Sequence, residues 1–276
     1  MENTPFQRII LTGAAGRLGK ALRPGLRALC ETLVLSDRIE LDEAPAAGEE
    51  FIPCELADHP SVSHLLEGAD LVVHMGGISQ ECSFDALLHS NLIGQFNLYD
   101  NALAHGVKRI VLASTNHVTG FYPVEQLVTP HMPVRPDSLY AISKCYGETL
   151  ARFFHDRHGL ESVCLRIGNC SPRPLSLRAL SCWLSHADLC ELVRCAALTP
   201  HAGFAIVYGT SANAATWWDG DDAARIGYRP HDSSEIFRAE LLATAGNQAK
   251  CVHQGGNPLN VDYRQPATWN NRRLSR

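Results

Sequence analysis

The stretch RIILTGAAGRLG (residues 8–19) decides the reading of this 276-residue chain. Arg8-Ile9-Ile10-Leu11-Thr12 is a short, β-branched apolar run of strand type. Gly13-Ala14-Ala15-Gly16-Arg17-Leu18-Gly19 follows it directly and opens a segment of helical period. The first glycine permits a tight turn, the second lets backbone approach a pyrophosphate, and the third lets helix and strand pack closely. An anion then rests on the helix N-terminus, where free N–H groups and the helix dipole favour negative charge. Asp37 ends the next strand-like run, 24 residues after Gly13, where a carboxylate takes adenosine ribose hydroxyls. Together they predict a dinucleotide site that uses Gly13, Gly16, Arg17, Leu18, Gly19 and Asp37. A carboxylate at that position repels a 2′-phosphate, so NAD is expected over NADP. Arg38, next door, reads either as a solvated surface residue or as a group that softens the choice.

Working outward, short apolar runs recur at 8–12, 32–37, 50–56, 70–76, 109–115, 162–168 and 204–209. Helix-period stretches lie between them at about 17–29, 60–67, 84–105 and 139–158. Continuous apolar runs suit strands buried on both faces, and helices between them supply right-handed crossovers. The expected class is α/β, a doubly wound parallel sheet of the Rossmann type. Glu55 and Leu56 end the third run and Met75, Gly76 and Gly77 follow the fourth, where the middle of a dinucleotide would pass. Residues 1–170 are expected to form the nucleotide-binding core. Residues 171–276 are expected to form a small substrate-binding lid packed on it as part of a single unit. Within the latter, SPRPLSLRALS is proline-interrupted and irregular, and Ser185 reads as a helix cap with Asp188 in the first turn.

The 45% apolar composition allows a proper core. Acidic residues outnumber basic ones, 29 to 24, which argues against nucleic acid as a partner. No basic segment precedes a long apolar stretch and no window approaches a membrane span, so a cytoplasmic protein without a membrane partner is expected. Ten cysteines are scattered without a C-x-x-C pair, and they read as free thiols in a reducing compartment.

Tyr140 and Lys144 lie one helical turn apart just after a proline-rich loop. A free phenol is a poor base at neutral pH, because its pKa is near 10. A lysine ammonium and an oxidised nicotinamide both favour the phenolate and lower that value. The pair therefore predicts a proton acceptor beside a hydride acceptor, with Lys144 also holding the nicotinamide ribose. The end of the fifth run supplies a hydroxyl for the reacting oxygen, Thr115 first and Ser114 as the fallback.

TGAAGRLG, YAISK and the STNHVTG stretch together resemble the extended short-chain dehydrogenase/reductases, the NAD-dependent epimerase/dehydratase family. Within that family the chain is similar to the uronate dehydrogenases over nearly its whole length. The marks are HMGGIS (74–79), NLIGQFNLYDNA (91–102), STNHVTGFYP (114–123), RPDSLYAISKCYGE (135–148), RIGNC (166–170), SCWLSHADL (181–189) and SANAATWWD (211–219). The resemblance implies Tyr140 as catalytic base, Lys144 as its partner and cofactor ligand, and Ser79, Thr115, Asn116, His117 and Asn169 toward the sugar. It implies Arg178 as the ligand of the sugar's carboxylate. A guanidinium grips a carboxylate through two parallel hydrogen bonds, so charge supports that role, with a solvated loop arginine as the alternative. Family members usually carry serine at the positions of Thr115 and Asn169, which bears on the choice of sugar. His117 reads as a positioning residue and no metal is expected. Trp217 and Trp218 read as aromatic packing.

The expected activity is NAD-dependent oxidation of a hexuronic acid, glucuronate or galacturonate, at C1 to the aldarolactone. The expected assembly is a homo-oligomer. An epimerase or dehydratase that retains its NAD and a silent NAD-binding regulatory protein are the rival readings.

Overall fold

In the computed structural model, which describes residues 4–244 and 251–256, the apolar runs become a seven-stranded parallel sheet. Its strands are β1 (Phe6–Thr12), β2 (Cys30–Ser36), β3 (Glu49–Phe51), β4 (Leu71–His74), β5 (Arg109–Thr115), β6 (Glu161–Ile167) and, after a separate two-strand pair β7 (Asn169–Cys170) and β8 (Trp183–Leu184), β9 (Phe204–Gly209). The order across the sheet is β3-β2-β1-β4-β5-β6-β9. Every residue of β4 and β5 is buried, as expected for strands covered on both faces.

The period of two along each strand divides the core into two layers. Ile9 and Leu11 of β1, with Leu33, Leu35 and Val73, face α1 (Arg17–Arg27) through Leu22 and Leu26. Ile10, Val34, Val72 and Ile110 face the opposite layer. There Leu65 of α2 (His59–Leu65) and Leu98 join them, the latter from a segment that begins at α3 (Phe84–Leu87) and continues as α4 (Gly94–Ala104). Phe154 of α5 (Leu139–His158) completes that layer. After α6 (Ala179–Cys182), α7 (His186–Leu198) adds Leu192 and Val193 to the α1 side. Residues beyond 170 thus contribute a strand of the sheet and a helix of its covering layer. Two short helices, α8 (Asp221–Arg225) and α9 (Arg238–Thr244), end the series, and segment 251–256 returns to bridge Pro123 through His253.

β1 pairs with β2 on one side and β4 on the other, so the winding direction reverses between β1 and β4. A crevice opens at the carboxyl ends of the strands at such a point. The far edge, β9, has its outward groups met by side chains. Ile206 N–H donates to Asp222 Oδ2 at 3.0 Å, and Arg225 donates to the Phe204 and Ala202 carbonyls at 3.2 and 2.8 Å.

The structure departs from the sequence expectation in three places. The third strand is β3, shorter than 50–56, although Ile52 N–H to Leu35 O and Cys54 N–H to Asp37 O keep the chain beside β2. The helix expected over 84–105 is interrupted by a π turn, Leu88–Ile93. Asn91, inside that turn, bonds across to Ile78 and Ser143, and this inward pull coincides with the widened backbone. The β7–β8 pair was not anticipated. Ser185 does cap α7, accepting from Asp188 N–H at 2.9 Å. Among the described residues no helix is long and apolar enough to cross a membrane.

Candidate active site

Gly13 adopts φ +70°, and a Cβ there would lie 2.6 Å from the Met75 carbonyl carbon and 2.7 Å from Gly76 N. The loop therefore passes closely over the end of β4, and only glycine fits. A Cβ on Gly19 would lie 2.7 Å from Ala14 Cα, so α1 packs directly on the loop. Gly16 is the N-cap of α1 and offers no side-chain cap, which leaves the helix's first N–H groups to an external acceptor. The Asp37 carboxylate accepts Ala15 N–H at 3.1 Å and Arg38 N–H at 2.8 Å, which fixes it beside the glycine loop. Arg38 itself is exposed. A tight loop, an uncapped helix end and a fixed carboxylate are the features a dinucleotide's pyrophosphate and ribose require, and the residues fit NAD.

A cleft of about 1330 Å³ runs from this loop along the carboxyl edge of the sheet. Arg17, Leu18, Met75 and Gly77 line its nucleotide end. Gly76 sits just beneath, its N–H donating to Thr12 Oγ1 and its α-carbon facing Leu56. Leu56 is otherwise held from Asn97, which donates to its carbonyl. The Glu55 side chain is exposed and accepts Ala57 N–H at 3.3 Å, so it is engaged in its own turn.

Tyr140, Lys144, Thr115, Asn116, His117, Ser79, Asn169 and Arg178 all line the same cleft. Tyr140 and Lys144 come from the first turns of α5. Ser138 Oγ caps Ala141 N–H there, and the Glu81 carboxylate accepts Leu139 N–H at 3.1 Å and Tyr140 N–H at 2.9 Å. Lys144 Nζ lies 6.0 Å from the Tyr140 ring centroid and donates to Ala113 O at 2.9 Å. Burial is the largest influence on Tyr140. The Thr115 hydroxyl lowers its pKa and the Asp137 carboxylate raises it, and the phenol is pushed up to about 12. Burial also lowers Lys144 to about 8. Desolvation of the phenolate thus sets the direction of the Tyr140 shift.

Ser114, the fallback hydroxyl, donates to Glu148 Oε1 at 2.6 Å. Glu148 grips Arg166 with two bonds of 2.9 and 2.8 Å, and Arg166 reaches the Tyr208 hydroxyl at 3.1 Å. This buried network engages Ser114 behind the cleft, which leaves Thr115 as the strand-end hydroxyl beside Tyr140.

His117 donates from Nδ1 to Asp137 Oδ2 at 2.7 Å, which fixes the ring and leaves Nε2 as the nitrogen not engaged by that bond. Arg178 donates from Nε to Gln254 O at 2.8 Å. With the Asn116 amide oriented so that its nitrogen donates to Ile167 O, its oxygen accepts from Arg178 Nη2 at 2.9 Å. No carboxylate among the described residues pairs with Arg178. Asn169, at the start of β7, accepts from Ser171 Oγ at 3.3 Å. All ten cysteines are free and buried or half-buried. Among the described residues no group of three or more His, Cys, Asp or Glu side chains is arranged to hold a metal ion.

Glu81, Asn91, Asp137 and Gln254 were not singled out from the sequence. Asp137 left a signal, a carboxylate three residues before the tyrosine. The other three act on residues far away in the chain and left none.

The NAD dependent epimerase/dehydratase family matches residues 9–217. Uronate dehydrogenase of Pseudomonas putida is 49% identical over 261 residues, 93% of this chain and 97% of that protein. The crystal structure of uronate dehydrogenase from Agrobacterium tumefaciens superposes with a TM-score of 0.89 at 42% identity, covering 94% of this chain and 98% of that one. A mutant of the Agrobacterium enzyme complexed with NAD gives the same TM-score and identity, over 93% of this chain and 98% of that one. With its glycine loop, its Tyr140–Lys144 helix and a family match over residues 9–217, the protein belongs to the NAD dependent epimerase/dehydratase family.

Proposed function

We propose that the protein is an NAD-dependent dehydrogenase that oxidises a hexuronic acid, glucuronate or galacturonate, at C1 to the aldarolactone, which then opens to the aldaric acid. One observation carries the reading. Arg178, a guanidinium without a carboxylate partner among the described residues, lines the same cleft as Tyr140, Lys144 and Thr115. An anionic sugar that satisfies Arg178 at its carboxylate can present its far end, C1, to the phenol.

NAD, when bound, would supply the acceptor for the C1 hydride. Gly13, Gly16, Arg17, Leu18, Gly19 and Asp37 would hold its pyrophosphate and adenosine ribose, while Leu56, Met75, Gly76 and Gly77 would flank its middle, with Glu55 at that margin. Lys144 holds the nicotinamide ribose and its positive charge favours the Tyr140 phenolate, which takes the C1 hydroxyl proton. Thr115 donates to the same oxygen while that proton moves. His117, fixed by Asp137, joins Ser79, Asn116 and Asn169 in orienting the ring hydroxyls. Most of the rate comes from alignment and charge placement. From the region beyond 170, Ser171, Leu175, Arg178 and Gly255 act as the substrate-binding wall. The working form is a cytoplasmic homo-oligomer. Support for assembly comes from Ile93 and Phe96 on the α4 side and Ile142 and Phe153 on α5, apolar side chains exposed on neighbouring helices; light scattering checks it.

The test mixes the purified protein with NAD and, in turn, uronates, matching neutral hexoses and nucleotide sugars. Net NADH from the uronates alone is the expected result. Turnover without net NADH would point to a cycle that regenerates its own NAD, as in an epimerase.

A further inference from the structure

Gln254 is completely buried, and every polar atom it has is engaged. Its N–H donates to Tyr122 O at 2.9 Å. Its Nε2 donates to Pro123 O at 3.1 Å and Gln126 O at 2.7 Å, and its Oε1 accepts Trp218 Nε1–H at 2.9 Å. Its own carbonyl is what receives Arg178 Nε. Trp218 is in turn clamped by stacking on Tyr208, with centroids 4.9 Å apart and planes 7° off parallel. Of the two glycines that follow, Gly255 permits a close approach and Gly256 adopts φ +98°, a conformation that favours glycine. A Cβ on Gly255 would run into the Asp137 carboxylate, and Gly256 packs beside Arg178 at ordinary contact distance.

A guanidinium has five N–H donors in a fixed plane. The bonds from Nε and Nη2, to Gln254 O and Asn116, use one edge of Arg178. Its far end, around Nη1, keeps donors for a ligand. We propose that Gln254 is a specificity-determining positioning residue: it pins segment 251–256 so that the Gln254 carbonyl aims the far end of Arg178 at the carboxylate of the sugar acid. The inference rests on the reading of Arg178 as the carboxylate ligand. A side chain that bonds none of the substrate thereby selects its charge. Without the pin, Arg178 loses the acceptor that fixes its plane, and binding the acid must then order the guanidinium.

The test compares Gln254→Ala, Arg178→Ala and the double variant on glucuronate, galacturonate, glucose and galactose. Gln254→Ala should lower kcat/KM for the acids by about tenfold or more, chiefly through KM, and alter the neutral sugars by no more than roughly twofold. In the Arg178→Ala background the same change should cost the acids nothing further beyond roughly twofold. Equal losses on acids and neutral sugars, or a full extra loss in that background, would overturn the inference. If Arg178→Ala destroys acid preference and Gln254→Ala keeps it, the inference alone falls. If Arg178→Ala keeps acid preference, the underlying reading falls with it. Should Gln254→Ala not fold, Trp218→Phe decides. It keeps a ring on Tyr208 and removes one of the pins, so an acid-selective loss supports the inference and an unchanged preference overturns it.

Discussion

Lys144 sits in the protein interior with the Ala113 carbonyl for its ammonium, a costly place for a cation. Its pKa falls from 10.5 to about 8 on folding. The unfolded chain therefore binds the extra proton between those values, and the penalty is full below pH 8 and fades toward 10.5. Lys144→Met should accordingly be more stable than the parent at pH 7, by at most about 3 kcal/mol, with the gap closing as pH rises. Thermal melts across a pH series check this, and an unstable Met variant at neutral pH would contradict it. Tyr140→Phe should lose at least about a hundredfold in kcat while NAD affinity is kept, measured by titration of the cofactor. Because burial holds the phenol near 12, activity should rise with pH through the neutral range as the phenolate fraction grows. Arg178→Ala should cut kcat/KM for uronates by well over tenfold, since losing one side of a desolvated charge pair costs about 2–5 kcal/mol. Tyr140 and Lys144 were legible because their relation is local, one turn of one helix. Arg178 rested on resemblance for half of its argument, because nothing adjacent in the chain marks a loop arginine. Glu81 and Gln254 were invisible, since each acts on residues distant in sequence.

The α5 N-terminus shows what a single element requires. Glu81 takes the N–H groups of Leu139 and Tyr140 and Ser138 takes that of Ala141, so the first turn is held from outside and from within. Glu81→Ala frees two of these donors and should cost about 1–2 kcal/mol of stability, by analogy with lost caps. It should also lower kcat, because Tyr140 belongs to the same turn. Denaturant melts with parallel kinetics test the pair of effects; a destabilised but fully active variant would separate cap from chemistry. The helix itself was readable over 139–158 from its period. The π turn at Leu88–Ile93 was not, because it depends on where the Asn91 side chain goes rather than on apolar spacing.

For the whole molecule, apolar runs alternating with helices were enough to predict a parallel sheet, since strands covered on both faces leave no polar alternation to misread. The core was less legible where it is charged. Glu148 and Arg166 form a buried pair that ties α5 to β6, with Ser114 and Tyr208 attached. Each lies inside a run that reads as ordinary helix or strand. Glu148→Ala leaves a buried guanidinium unpaired and should cost about 3–5 kcal/mol, visible as a large drop in melting temperature.

The side chains that meet the outer rim of β9 have a consequence for behaviour in concentrated solution. Asp222 and Arg225 occupy backbone groups that a strand from a second chain would otherwise use. A protein stripped of both is an open template, so D222A/R225A should self-associate on mild heating, well before its secondary structure melts. Static light scattering read alongside circular dichroism separates the two events. In this view two charged side chains act as gatekeepers against fibrillar growth, guarding the colloidal state of a molecule whose chemistry lies at the carboxyl ends of the sheet's strands.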